Sequence, residues 1–312
     1  MFSSCDNKTF HSEGLELDLK SKVFGQHLAT AVVLNAVTVF MRDQHPQKPL
    51  VLSFHGGGGT GKNHVAKIIA QNIFNDGESS KQVHWFIGDY HFTKEENLET
   101  HKAQLRRWIR GNVTKCPCSM FIFDEMDKMN PELIDSLRPI LDHYGNIDGV
   151  TYRYALFLFL SNAGTRTINR VAYDLWSAGT IREDIQLSSG NLETELSKDV
   201  FNNNGLILCV SVGGFWHSRL INKNVVDFFI PFLPLEYRHV RLCVLAHMAA
   251  MGLPWSEDLA DHVAREMQYF PREDRVFSVT GCKRVRARLD ILSSHDELPL
   301  QGSGPPSHNA VR

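Results

Sequence analysis

A glycine-rich stretch, Gly56 to Asn63, has the residue types and the spacing of an anion-binding loop. It reads GGGGTGKN and fits the pattern GxxxxGK, with asparagine where serine or threonine normally follows the lysine. In such a loop, backbone N–H groups point at the anion, and the N-terminus of the next helix contributes about half a positive charge. Lys62 adds a full charge for terminal phosphates. The residues expected to hold phosphate groups are Gly56, Gly57, Gly58, Gly59, Thr60, Gly61, Lys62 and Asn63.

Two other interpretations of these glycines have to be weighed. A His-Gly-Gly-Gly run forms part of the oxyanion hole in some esterases, but those enzymes also need a Gly-x-Ser-x-Gly motif. The nearest approach in this sequence, Cys209 to Gly213, lacks the first glycine. A flexible linker would explain the glycines but neither Lys62 nor the amphipathic helix pattern that follows at once. Phosphate binding is therefore favoured.

Acidic and amide side chains follow two later apolar runs. Asp124 and Glu125 come directly after Met120 to Phe123, and Asn162 follows the next apolar run. Ligands of open α/β sheets bind at the carboxyl ends of the strands. Asp124 there would hold Mg²⁺, usually through water, while Glu125 could deprotonate an attacking water. The alternatives are a solvated helix start for the two acids and a turn for Asn162.

The elements that must position these residues alternate along the chain. Short, continuously apolar strands followed by helices are typical of a parallel sheet that is covered on both faces. The predicted strands are Pro49–Phe54, Gln82–Ile87, Ser119–Phe123 and Tyr154–Leu160. The predicted helices are Gly14–Val39 with a break at Phe24–Gln26, His64–Phe74, Glu95–Arg110, Pro131–Leu141, Leu235–Met251, Glu257–Tyr269 and Lys283–Leu292. We therefore expect an α/β P-loop fold with a smaller helical part at its C-terminal end.

The domain organisation follows from a change in pattern near Asn222, after which strand signals fade. We expect an N-terminal segment at residues 1–13 and a large α/β nucleotide-binding domain at 14–222. A small helical domain would follow at 223–292. The last segment, 293–312, is rich in Ser, Pro and Gly, which predicts disorder.

Composition excludes several classes of protein. The net charge of −2 over 312 residues provides no basic field that would attract nucleic acid. The sequence also contains no run of 18 apolar residues, the length that would span a bilayer. The N-terminus lacks a secretory signal pattern, which predicts the cytosol. Asn7 and Asn112 nevertheless stand in glycosylation tripeptides, which matter only in a secretory compartment. The six cysteines predict buried free thiols rather than a disulfide framework or a zinc site.

Several motifs together resemble one family. The stretches GGGGTGKN, FIFDEMDKM and FLSNAG resemble those of the torsins, AAA+ ATPases of the endoplasmic reticulum lumen and nuclear envelope related to the Clp/Hsp100 unfoldases. Further matches are VFGQHLA, WIRGNV, GFWHS, PFLPLEYRHV and VFSVTGCK. The resemblance covers about Gly14 to Asp290 and is specific, since asparagine after the Walker lysine and the late Gly-Cys-Lys are unusual elsewhere. The sequence is most similar to the torsin-1 branch.

The resemblance implies roles for particular residues. Lys62 would be the Walker A lysine, with Asn63 replacing the Mg²⁺-binding hydroxyl. Asp124 and Glu125 would be the Walker B pair, with Glu125 as the catalytic base. The remaining implied roles are sensor 1 for Asn162, sensor 2 for Lys283, and a redox-sensitive pair for Cys243 and Cys282.

The resemblance also implies partners and cofactors. Torsins lack an arginine finger of their own, and membrane-bound activators of the lamina-associated polypeptide type lend one from a luminal domain. An arginine finger supplied in trans is worth about 10³ to 10⁵ in rate. We therefore expect ATP and Mg²⁺ as ligands, slow hydrolysis by the isolated chain, a luminal activator, and a homo-oligomer or mixed ring as the assembly.

Three departures from the family pattern stand out. Gly57 replaces Trp, and Gly58 replaces Thr or Ala. The extra glycines raise the entropy cost of ordering the loop, which predicts weaker nucleotide binding. Residues 205–213 read as an insertion before GFWHS, and the N-terminus lacks the family's signal and apolar segments, as in a truncated gene model.

Two functions remain in competition. The main prediction is an activator-dependent ATPase that remodels proteins or membranes, like a chaperone, at the endoplasmic reticulum and nuclear envelope. The alternative is a nucleotide-gated module that assembles or docks with little ATP turnover.

Overall fold

A parallel sheet organises the larger part of the protein. The computed structural model describes residues 10–91, 97–189, 192, 195 and 225–294. Its main sheet has five strands in the order β2-β3-β4-β1-β5, and each neighbouring pair is parallel. The strands are β1 Leu50–His55, β2 Val83–Ile87, β3 Met120–Asp124, β4 Leu156–Ser161 and β5 Phe228–Pro231.

The helices predicted at residues 14–39, 64–74 and 95–110 are present with ends a few residues from those predicted, whereas those at Gly88–His91 and Thr165–Ser177 were not predicted. The break at Phe24–Gln26 is confirmed, since α1 ends before it and α2 begins after it. In chain order the helices are α1 Ser12–Lys22, α2 His27–Arg42, α3 Lys62–Ile73, α4 Gly88–His91, α5 Leu98–Lys115, α6 Pro131–Asp135, α7 Arg138–Leu141 and α8 Thr165–Ser177.

Both faces of the sheet are buried, which explains why its central strands are almost continuously apolar, with Ser53, His55 and Ser161 as buried polar exceptions. Side chains that point to one face form stacks across neighbouring strands: the ring centres of Phe121 and Phe157 lie 5.0 Å apart, and those of Phe123 and Phe159 lie 5.1 Å apart. The opposite face, with Leu158 among its residues, packs against α1, α2 and α3. The predicted α/β class is confirmed.

A second, smaller hydrophobic cluster lies in the C-terminal part of the chain. It is built by three helices that pack on one another, with a short antiparallel hairpin between the second and the third in chain order. These elements are α9 Tyr237–Ala250, α10 Glu257–Glu266, β6 Tyr269–Phe270, β7 Phe277–Ser278 and α11 Val285–Ser294. The helical nature of this part agrees with the prediction.

The structure corrects four predictions about elements and cysteines. Strand β5 lies beyond Asn222, where the sequence shows no strand signal, because four residues suffice once β1 offers a parallel edge. Helix α8 was not predicted. The single predicted helix at Pro131–Leu141 is two helices, since Pro139 has no N–H to continue the first one. The expectation of free thiols is wrong for Cys116, Cys243 and Cys282, which are disulfide-bonded.

Three predictions fall wholly or largely outside the described residues. They are the insertion at 205–213, the glycosylation of Asn7 and the tail at 293–312. Within the described residues, no helix is both long and apolar enough to cross a membrane.

Candidate functional site

The glycine-rich loop connects the end of β1 to the start of α3. Gly56 has a φ of 152°, and a side chain there would meet the carbonyl oxygen of Phe232 at 2.5 Å. Gly59 and Gly61 also have positive φ values, of 76° and 111°. Gly61 is the residue before the first turn of α3, so the helix N-terminus opens directly onto the loop. The backbone thus adopts the conformation that an anion cradle needs.

Lys62 is buried beneath this loop. Its Nζ donates to the carbonyl oxygens of Gly56, at 2.5 Å, and Gly57, at 2.9 Å, and to Oδ1 of Asn162, at 3.1 Å. Burial lowers the pKa of the Lys62 ammonium to about 8, against the pull of the nearby carboxylates of Asp127 and Asp124. The ammonium group of Lys62 therefore links Gly56, the first of the predicted loop residues, to Asn162, the asparagine predicted at the end of a strand.

Asp124 lies at the end of β3 and is held at both carboxylate oxygens. Its Oδ2 accepts from Nδ2 of Asn63 at 2.5 Å, and its Oδ1 accepts from the backbone N–H of Glu125 at 2.9 Å. Glu125 itself has a φ of 54° and forms a 3.1 Å ion pair with Lys128. The left-handed turn at Glu125 directs the chain away from the strand at once, so the two acids lie at the carboxyl-terminal end of β3.

The end of β4 is fixed by a carboxylate that the sequence did not single out for a role. Oδ1 of Asp127 accepts from the backbone N–H of Asn162 at 2.9 Å and from Oγ of Ser161 at 3.2 Å. Asp127 thereby connects the turn after β3 to the turn after β4. A charged residue two positions beyond Glu125 was visible in the sequence, but its partner became apparent only from the register of the strands.

The C-terminal helical part meets the glycine-rich loop from the other side. The backbone N–H of Cys282 donates to the carbonyl oxygen of Gly59 at 3.0 Å, and Lys283 is the next residue. A side chain at Gly59 would lie 2.1 Å from the carbonyl oxygen of Thr280. Cys282 is disulfide-bonded to Cys243 on α9. The redox sensitivity that the resemblance implies for these two cysteines stays a prediction.

These residues line one cavity of about 810 Å³. Its polar end contains the residues of the loop from Gly58 to Asn63, together with Asp124, Glu125, Asn162 and Lys283. The other end is formed by the chain from Ser21 to Phe24 and by one face of α9, with Ala246, His247 and Ala250. A volume of this size suits a nucleotide-sized ligand. Most of the predicted residues thus lie together, with six from the loop, whereas Gly56 and Gly57 are not part of the cavity lining.

Two histidines that the sequence analysis did not predict also line this cavity. His64 accompanies the loop, and its Nε2 lies 3.1 Å from the carbonyl oxygen of Lys22. His247 lies on α9 across the cavity. Burial lowers the pKa of both imidazoles. Only the fold shows that these two positions, far apart in the sequence, face a common space.

The oxygen atoms at the polar end fit a bound Mg²⁺ ion. Mg²⁺ prefers a carboxylate or two, completed by substrate phosphates and water. Asp124 offers a carboxylate that is fixed in orientation beside Lys62, as such a site requires. Within the described part of the chain, no group of three or more His, Cys, Asp or Glu residues could hold a metal by itself. Phosphate oxygens and water would therefore have to supply the remaining ligands.

The other predicted sites have less support from geometry. Asn112 lies within α5 and is half-buried, and its side-chain amide donates to the carbonyl oxygen of Trp108 at 2.9 Å. Its glycosylation stays a prediction. The functional roles of Glu125, Asn162 and Lys283 likewise stay predictions, although all three line the cavity.

The family follows from two matches. A family model described as Torsin matches residues 1–123, and one described as the Torsin-1A C-terminal domain matches residues 235–292. The matched segments together span more than half of the chain. The chain belongs to the torsin family. The match at the C-terminal end is consistent with the torsin-1 branch.

Solved structures of Hsp104 share the fold of this torsin. The S. cerevisiae Hsp104-ADP complex matches with a TM-score of 0.64 at 18% identity, over 91% of this chain and 47% of that one. A closed state of Hsp104 with ATPγS and FITC casein matches with a TM-score of 0.61 at 18% identity, over 90% and 46%. The torsin chain spans about half the length of these neighbours. Family and fold together support an AAA+ ATPase that binds nucleotide.

Proposed function

We propose that this torsin hydrolyses ATP and that Glu125 is the base. The observation that carries the proposal is the position of Glu125 on the same cavity wall as Lys62 and Asp124. Lys62 would bind the terminal phosphates, and Asn162, which accepts from Lys62, would orient the γ-phosphate or the water. Lys283 would approach the same phosphate from the helical part. Mg²⁺, when bound beside Asp124, would neutralise charge on the phosphates.

Turnover in this proposal depends on an activator. Family membership supports a membrane-bound luminal partner of the lamina-associated polypeptide type, which would supply an arginine finger. Such a residue contributes about 10³ to 10⁵ in rate, or roughly 4 to 7 kcal/mol of barrier. Family membership also supports a location in the endoplasmic reticulum lumen and nuclear envelope, and a homo-oligomer or mixed ring as the assembly. The work done there would be remodelling of proteins or membranes.

The proposal includes the domain division at residues 14–222 and 223–292. The separate hydrophobic cluster that begins at Leu235 supports the small domain, whereas β5 and the buried Val225, Val226 and Leu233 belong to the sheet and its clusters. The cavity lies where the two parts meet, so a ligand there would contact both.

A second candidate, a nucleotide-gated binding module with little turnover, is favoured by one contact. Lys128 forms an ion pair with Glu125, and this pair would compete with a catalytic water for the carboxylate. The two functions differ in whether Glu125 affects the rate of ATP hydrolysis.

The deciding experiment measures ATP hydrolysis by the chain alone and with the luminal domain of an activator. The Glu125→Gln variant, which keeps the side-chain volume and removes the base, is the control. We expect wild-type turnover only with the activator, and none with Glu125→Gln, although both bind ATP. Equal hydrolysis by wild type and variant would remove the enzymatic interpretation and leave the binding module.

A further inference from the structure

A glutamine side chain connects the glycine-rich loop to the segment that leads into the helical part. Gln26 is 2% exposed and follows the break between α1 and α2. Its Nε2 donates to the carbonyl oxygen of Thr60 at 2.9 Å and to that of Leu233 at 2.8 Å. Its Oε1 accepts from the backbone N–H of Leu233 at 2.9 Å. The amide is thus fully engaged with backbone groups of two distant segments.

The contact with Leu233 has the form of a strand pairing. One side-chain amide satisfies both the N–H and the C=O of the same residue, as a neighbouring strand would do. Because the N–H of Leu233 needs an acceptor, the oxygen and nitrogen of the Gln26 amide can be assigned to only one orientation. The other hydrogen of the Gln26 amide is then directed at Thr60. Movement of either segment must therefore displace the amide or break a buried hydrogen bond.

Leu233 lies in the connection from β5 to α9. Phe232, just before it, donates its N–H to the carbonyl oxygen of His55, the last residue of β1. After Leu233 the chain enters α9, which carries Cys243 and one wall of the cavity. Thr60, at the other end of the glutamine contact, belongs to the phosphate loop. Gln26 accordingly contacts two segments that border the cavity: the glycine-rich loop and the connection from β5 to α9.

A second side chain holds the same connection without touching the loop. Arg182 is 5% exposed, and its guanidinium donates to the carbonyl oxygen of Gly25, at 2.6 Å, and to that of Pro234, at 2.8 Å. It also forms a 3.4 Å ion pair with Glu236. Arg182 and Gln26 therefore share one partner segment and differ in the contact with Thr60. This difference provides a matched control.

We infer that Gln26 is a positioning residue that couples the glycine-rich loop to the connection at residues 232–236, and so transmits occupancy of the phosphate site to the helical part. The coupling itself follows from contacts between protein groups, and only the identity of the occupant rests on the proposed function. Ordering of the loop around a phosphate would hold the carbonyl group of Thr60 in place. The hydrogen bond to Thr60 would then hold the side-chain amide of Gln26, and that amide would hold the backbone of Leu233. A merely structural glutamine would stabilise both segments without making one depend on the other.

The test uses hydrogen exchange of the whole chain, first without nucleotide. In Gln26→Met, which keeps the side-chain length and removes its polar atoms, we expect exchange to rise about tenfold or more both at Leu233 and in the loop, read at Val65 and Cys282, whose N–H groups donate to the loop carbonyl oxygens of Gly61 and Gly59. In Arg182→Met we expect a rise at residues 233–236 and exchange within about twofold of wild type in the loop. Amides of β4 report whether each variant is folded. Loop exchange that is unchanged in Gln26→Met would overturn the inference.

A second variant keeps the inference testable if Gln26→Met does not fold. Gln26→Glu retains an acceptor for the N–H of Leu233 and keeps at most one donor hydrogen, so it cannot satisfy the carbonyl oxygens of both Leu233 and Thr60. We expect faster exchange in the loop while the amide of Leu233 stays protected. Protection of both segments, as in wild type, would contradict the coupling.

The second arm adds ATP with Mg²⁺. Wild type should show slower exchange at residues 57–62 and also at 232–235, whereas Gln26→Met should show slower exchange only in the loop. Equal slowing at both segments in Gln26→Met would show that another route transmits the signal. If ATP slows nothing in wild type, the proposed function fails, and the nucleotide-free comparison alone decides the coupling.

Discussion

Asn63 and Asp124 are joined by a hydrogen bond in which Nδ2 of the amide lies 2.5 Å from Oδ2 of the carboxylate. The residue that replaces the usual hydroxyl of the loop is therefore turned towards the acid that would hold the metal. We therefore expect Asn63 to act on a bound metal through Asp124, because its amide nitrogen donates to that carboxylate and has no lone pair to offer Mg²⁺.

The first prediction follows from that contact. Asn63→Ala should lower ATP affinity about tenfold when Mg²⁺ is present, because the carboxylate of Asp124 loses a partner that fixes its orientation. Affinity measured with a chelator in place of Mg²⁺ should change little. An equal loss with and without the metal would show that Asn63 acts on the loop instead.

The glycine excess of the loop gives a second prediction. A side chain at Gly58 would meet nothing within 4 Å, and one at Gly57 would make ordinary contact with Thr165 at 3.5 Å. Replacing them with the family residues, Gly57→Trp and Gly58→Thr, should tighten ATP binding up to about tenfold by reducing the entropy cost of ordering. Titration with a fluorescent ATP analogue measures the change.

The matched control for this loop is Gly59→Ala. At Gly59 the φ is 76° and a side chain would lie 2.1 Å from the carbonyl oxygen of Thr280, so the substitution should abolish binding. Unchanged affinity in the Gly57 and Gly58 variant would show that loop entropy does not limit binding.

A third prediction concerns Asp127. Removing its carboxylate with Asp127→Ala frees the N–H of Asn162 and the hydroxyl of Ser161, so the turn after β4 loses its anchor. We expect kcat of the activated reaction to fall about tenfold or more, with a smaller change in KM, because Asn162 would be displaced from the reacting phosphate. Glu132→Ala, which removes an exposed acid paired with Lys102, should leave both constants unchanged. A rise in KM alone would assign Asp127 to binding.

The disulfide between Cys243 and Cys282 leads to a fourth prediction. It closes a loop across 39 positions of the chain, so reduction should lower the free energy of unfolding by about 4 kcal/mol. ATP affinity should also fall, since the N–H of Cys282 supports Gly59. Thermal unfolding and ATP titration with and without a reductant measure both effects. The Cys243→Ser, Cys282→Ser double variant should lose the response of its ATP affinity to the reductant, and any remaining response of its thermal unfolding measures the other disulfide, at Cys116.

A fifth prediction concerns acid sensitivity. Burial lowers the pKa of His55 to about 4, and burial, aided by Arg182 and Arg238, lowers that of His239 to about 3. Both stay neutral in the folded state, whereas the unfolded chain takes up protons near the ordinary pKa of 6.5. Their contribution to stability is therefore complete above about pH 6.5 and declines at lower pH, at up to about 1.4 kcal/mol per unit for each histidine.

Urea unfolding at about pH 7 and about pH 5 tests this dependence. His239 accepts at Nδ1 from the N–H of Glu236, a bond that protonation would remove. His239→Gln should flatten the pH dependence, and substitution of the exposed His45 should not. Stability that stays constant over this range would contradict the prediction.

The local sequence pattern was sufficient to predict those parts of this protein whose properties depend on consecutive residues. The glycines and Lys62 identify a phosphate loop because the backbone conformation and the charge arise within eight residues. The strands β1, β3 and β4 were predictable because burial on both faces makes nearly all of their residues apolar, apart from Ser53 and the polar residue at the end of each strand. By contrast, β5 is four residues long, and the sequence gives no sign that β1 provides its partner edge.

Tertiary structure alone decided the relations between segments. The sequence by itself indicated which polar residues stand at the ends of β3 and β4, and with the family pattern it indicated nucleotide chemistry. It did not determine that Asn63 contacts Asp124, that Asp127 anchors Asn162, or that Gln26 bridges Thr60 and Leu233. Those contacts join residues 34 to 207 positions apart, and they form only when strand order and helix packing bring the ends of separate elements to one edge of the sheet.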